Sequence, residues 1–148
     1  MNRLAVKSSN PTARREARLR KLPRKKFVQW SVRELGGQWR MGWGRKRGFE
    51  GYIIVSPAVY RELAEPPLDQ CRWHPVQARQ KDKADRQDID LFEAVMFRED
   101  REIGYFVAFG FTSGALKEIR RFFKRTGKGI KALTVRDILN GEIVSKLA

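Results

Sequence analysis

Tyr105-Phe106-Val107-Ala108-Phe109 is an unbroken apolar run between Gly104 and Gly110. A short run with no polar alternation has no face to give to solvent, so it reads as a strand buried on both sides. The segments around it have helical period. Ile89, Phe92 and Met96 recur on 88–98, and Leu116, Ile119, Phe122 and Phe123 follow a cap at Thr112 or Ser113 and end at Gly127. Val28, Val32 and Leu35 mark a helix over 27–35, closed by Gly36-Gly37. Tyr52–Val55, 73–80 and 131–134 read as further strands, with Pro75 placing the second near an edge or at a strand start. Thr134 with Asp137 forms a capping box for a last helix. The order predicts an α/β (α+β) fold: a mixed β-sheet flanked by helices.

Charge limits what such a fold binds. The 148 residues carry 32 Lys and Arg against 17 Asp and Glu, a net +15. A surface this positive attracts polyanions, nucleic acids above all. Residues 1–26 contain ten of the cations and one acid, Glu16. With few apolar residues to pack, 1–24 is expected to be a flexible basic arm, 25–141 a folded domain and 142–148 a tail. One cysteine, Cys71, excludes an intramolecular disulfide and points to a reducing, cytoplasmic compartment. No stretch approaches the length of a membrane span.

Chemistry-bearing residues gather in two places. Gly48-Phe49-Glu50-Gly51 puts a carboxylate at the mouth of a strand, between glycines that permit close approach. On the next strand, alternation places Gln77, Arg79 and Lys81 on one face. An acid, an amide oxygen and cations on adjacent strands suit a phosphodiester: the oxygens hold Mg²⁺ and a cation meets the phosphate. One acid at a strand mouth is also an ordinary solvated charge or ion pair, and spacing alone does not separate the two.

Other residues have plain readings. His74, the sole histidine, reads as a strand residue with a satisfied hydrogen bond rather than a base. Trp39 and Trp43 read equally as base-stacking platforms and as anchors for their loop. Asp82, Asp85, Asp88 and Asp90 suit a helix N-terminus better than a Ca²⁺ loop. Arg45, Lys46, Arg47, Lys83, Lys117, Arg121 and Lys124, with Arg79 and Lys81, are the candidate nucleic-acid contacts.

Several segments together resemble an Mrr-like endonuclease domain of the PD-(D/E)xK superfamily, in the version found C-terminally in some adenine-specific DNA methyltransferases. They are Lys25-Lys26-Phe27-Val28-Gln29-Trp30, Gly48-Phe49-Glu50-Gly51-Tyr52, Pro75-Val76-Gln77-Ala78-Arg79-Gln80-Lys81, Asp88-Ile89-Asp90-Leu91-Phe92-Glu93 and Leu133-Thr134-Val135-Arg136-Asp137-Ile138-Leu139. The resemblance implies a restriction-endonuclease-like sheet, double-stranded DNA as partner and Mg²⁺-dependent cleavage in a restriction or modification system. It aligns Glu50 and Gln77 with metal ligands and Arg79 with the catalytic lysine. A DNA methyltransferase and a second copy of the chain are further partner expectations. Two positions depart from the pattern. Glu50 is one methylene longer than the usual aspartate. Arg79 stays protonated and presents a wide fork where lysine presents a compact ammonium, so cutting is expected to be weakened, with Lys81 as the nearest substitute. A non-catalytic nucleic-acid-binding module and a basic RNA-binding protein are the competing readings.

Overall fold

Strand alternation turns one central strand into the partition between two cores. A computed structural model describes residues 10–141, so the tail expected at 142–148 and the first nine residues of the arm lie outside the described residues. The elements run α1 (Pro11–Lys21), α2 (Arg24–Glu34), β1 (Gln38–Trp39), α3 (Trp43–Arg47), β2 (Gly51–Ser56), β3 (Arg72–Ala78), α4 (Arg86–Glu99), β4 (Ile103–Ala108), α5 (Ser113–Thr126), β5 (Gly129–Thr134) and α6 (Val135–Leu139). The sheet order is β1-β2-β3-β4-β5. Pairing is antiparallel from β1 to β3 and parallel from β3 to β5.

On β4, Phe106 and Ala108 face a core built with Ile89, Phe92 and Met96 of α4 and Phe122 of α5. Tyr105 and Val107 face the other core, with Phe27, Val28 and Val32 of α2 and Ile138 of α6. The apolar run is therefore covered on both faces, as its composition requires. Phe106 is buried and meets Phe92 edge-on at 5.6 Å; full burial of such a ring contributes about 1.5–3 kcal/mol.

The local signals at helix starts act as the sequence suggests. Thr112 accepts from the Ala115 N–H at the head of α5. Thr134 and Asp137 close a capping box on α6, and Asp85 and Asp88 close another on α4. Each such cap stabilises its helix by about 1 kcal/mol.

Three expectations need correction. The arm is not free over its described part: Asn10 caps α1, Pro11 opens it, and Leu19 is buried in the second core. Glu16 joins Arg136 at 3.1 Å, and the Gln80 amide donates to the Leu19 and Leu22 carbonyls at 3.0 and 2.8 Å. One leucine with these polar ties docks a helix that composition alone reads as loose. The segment of Trp39 and Trp43, read from sequence as a loop, contains β1 and α3. Pro75 lies on the central strand, opposite Tyr52; its missing N–H is tolerated because pairing with β4 begins only at Val76.

Candidate nucleic-acid interface

Glu50 immediately precedes β2, and its N–H donates to the Val76 carbonyl of β3 at 2.8 Å. The residue is only 5% exposed. A buried carboxylate requires a charged or hydrogen-bonded partner, and Arg24, the first residue of α2, supplies it with Nη2 at 2.9 Å from Oε2. The carboxylate lies against the Cα of Gly44 in α3, where a Cβ would collide with both of its oxygens. Around this pair opens a cavity of about 320 Å³ lined by Arg24, Lys25, Arg45, Lys46, Trp39 and Glu50. Four cations thus surround one neutralised acid.

Gln77 reaches the same corner of the sheet. Its Nε2 donates to the Gly48 carbonyl at 2.9 Å, and its Oε1 accepts from the Ala78 N–H at 2.9 Å. Glu50 and Gln77 therefore sit where the adjacent strands β2 and β3 meet, as expected. Arg79 and Lys81 do not join them through any described ion pair. Strand β3 ends at Ala78, so the alternation used to place Gln77, Arg79 and Lys81 on one face does not extend that far. Both cations turn to Asp88 on α4, Lys81 at 2.9 Å and Arg79 at 3.6 Å. The hydrogen bond to Asp88 raises the Lys81 pKa, so this ammonium keeps its proton.

The other candidates divide by partner. Arg45 and Lys46 are exposed at the cavity. Arg47 has partners within the fold: it pairs with Glu99 at 2.9 Å and lies 4.2 Å over the Trp43 ring. Trp43 packs on Phe49 and Tyr52 at 5.4 and 5.5 Å and is an anchor, whereas Trp39 lines the cavity. Lys83, Lys117 and Lys124 are exposed. Arg121 lies 3.5 Å from Glu118. His74 stands on β3, where its ring has a hydrogen bond with the Trp73 backbone, while its buried Nδ1 lacks a hydrogen-bond partner among the described residues. Burial, with Arg101 and Arg72 nearby, lowers its pKa.

Sequence reasoning missed Arg24 and Asp88 as the partners that define these clusters. Asp88 carried a signal as the third residue of a capping box; Arg24 carried none beyond its charge.

Mg²⁺ takes hard oxygen ligands, carboxylates foremost. Here the one carboxylate is neutralised by Arg24, the amide oxygen accepts from Ala78, and three more cations line the cavity. This donor set does not fit a divalent cation; it fits an anion. A second acidic group lies at the α4–α5 contact. Asp90, Glu93 and Glu118 each offer an oxygen within 4.8 Å of the others. Arg86, Arg121 and Arg125 already approach Glu118 or Glu93 at 3.5–3.7 Å. Desolvation, with a hydrogen bond and charge from Glu118, pushes the Glu93 carboxyl up to about 8. The same hydrogen bond from Glu93 holds Glu118 low. These opposite directions favour a protonated Glu93 donating to an ionised Glu118.

No family model matches the chain, and no curated protein matches it. No helix among the described residues is long and apolar enough to cross a membrane.

Proposed function

We propose that the chain is a double-stranded-DNA-binding domain of the restriction-endonuclease type, serving a restriction or DNA-modification system, with a weakened cutting centre. The observation that carries this reading is the corner where β2 meets β3. A buried carboxylate and an amide stand there, ringed by Arg24, Lys25, Arg45 and Lys46. Backbone phosphates are the anions such a ring suits, and each neutralised phosphate releases counterions.

Non-catalytic binding is favoured over full activity by one specific relationship: the Arg24 guanidinium stands where a metal-ligating Glu50 would need a cation of its own. Arg79 and Lys81 are likewise held by Asp88. A DNA methyltransferase remains the proposed functional partner, and Mg²⁺ would serve residual cutting only by displacing Arg24 from Glu50.

The test is a plasmid-nicking assay with Mg²⁺ or Mn²⁺, run beside duplex binding in EDTA. We expect binding that needs no metal, and nicking at or near background. Strong nicking abolished by Glu50→Ala would establish an active enzyme instead. Failure to bind duplex DNA at low salt would end the reading.

A further inference from the structure

We propose that the trough between α5 and the edge strand β5 binds an extended, acidic segment of a partner protein. The trough measures about 380 Å³ and lies at the edge of the sheet opposite β1 and its basic cavity. Its apolar surface comes from Ile119 and Phe123 of α5 and Ile130 of β5; Arg120, Lys124 and Lys131 rim it, and no acid among the described residues lines it.

Three independent features converge. First, β5 has a sheet neighbour only on its β4 side among the described residues, so it offers backbone donors and acceptors to an added strand. Second, Phe123 is 58% exposed, with Leu116 also exposed two turns earlier on α5. An aromatic ring presented beside an open edge is a surface awaiting an apolar cover. Third, the charges on α5 divide. Arg121 and Arg125 pair with Glu118 and Glu93, while Arg120, Lys124 and Lys131 pair with no acid among the described residues. A lone edge lysine is a common guard against aggregation. That role accounts for Lys131 but for neither the two α5 cations nor the exposed ring.

Charge selects the occupant. A second copy of a chain bearing +15 would bring like charge to this rim. Duplex phosphates would satisfy the cations and leave the trough wet. A strand with alternating acidic and apolar side chains suits both: successive side chains point to opposite faces, so the apolar set fills the trough and the acidic set lies on the face of Lys131, while Arg120 and Lys124 at the trough's rim favour the segment's overall negative charge.

The test uses the full chain and a fluorescein-labelled peptide of about eight residues, the length of an ordinary strand, alternating glutamate with valine. The control peptide carries lysine in place of glutamate. Anisotropy should rise with the acidic peptide alone. Phe123→Ser and Lys131→Glu, both checked for an unchanged thermal melt, should each weaken binding about tenfold, the scale of a single interface anchor. Arg45→Glu with Lys46→Glu, at the far edge, should leave it unchanged. If one of the two trough variants melts early, the other decides. Equal binding of both peptides, insensitivity to the folded trough variant, or loss through the far-edge pair would overturn the proposal. So would a dimer dissolved by Phe123→Ser, which would make a second copy the occupant, or duplex affinity that falls in that variant while peptide affinity does not.

Discussion

Arg24 and Glu50, 26 residues apart in the chain, form an ion pair of 2.9 Å in which the acid is buried and the arginine side chain is 62% exposed. The asymmetry sets what each substitution does. Arg24→Ala leaves Glu50 enclosed without its nearest cation. Removing one partner of a fully buried pair costs about 3–5 kcal/mol; solvent around Arg24 reduces the expected loss to about 1–2 kcal/mol, read from urea denaturation. Glu50→Gln keeps the shape, removes the only acid among the described residues lining the cavity and should tighten duplex binding severalfold at low salt. Weaker binding in Glu50→Gln would mean that the carboxylate, not the cations, recognises the ligand.

Arg45 and Lys46 should differ from their neighbour Arg47. Alanine at either exposed position should reduce the slope of log affinity against log salt by about 1. Arg47→Ala should leave the slope alone and lower stability by about 1–2 kcal/mol, because Arg47 pairs with Glu99 and covers Trp43. Salt titrations and denaturation of the three variants separate the two roles.

The Glu93–Glu118 pair predicts a stability profile with a defined sign. Burial raises the Glu93 carboxyl from its ordinary 4.5 to about 8, so the folded chain holds a proton that the unfolded chain releases. That contribution is fully present below pH 4.5 and is lost as pH rises through 8. Glu118 is lowered and contributes the opposite limb, lost as pH falls below its ordinary 4.5. Glu93→Gln mimics the protonated form, so it should raise the melting temperature at pH 8 more than at pH 5. Parallel melting curves for wild type and variant across this range would show that Glu93 does not hold its proton in the folded chain.

Gln80 tests the docking of α1. Its amide holds the Leu19 and Leu22 carbonyls, so Gln80→Ala should cost about 1 kcal/mol and speed hydrogen exchange over Pro11–Lys21 ahead of the sheet. Unchanged protection there would show that Leu19 burial and the Glu16–Arg136 contact suffice.

How much of this was legible in the sequence follows the range of each interaction. The double burial of β4, the caps at Thr112 and Thr134 and the mixed α/β class were all readable from the chain, because periodicity and capping act over three or four residues. Even the adjacency of Glu50 and Gln77 followed from two consecutive strands. Only the tertiary structure decided which charges meet. Arg24 reaches Glu50 across 26 residues and Arg136 reaches Glu16 across 120. Asp88 pairs with Arg79 and Lys81, which follow β3 where it stops at Ala78. A sequence of this composition offers every acid several cations; strand order and helix placement choose among them, since Coulomb attraction depends on distance in space and not along the chain.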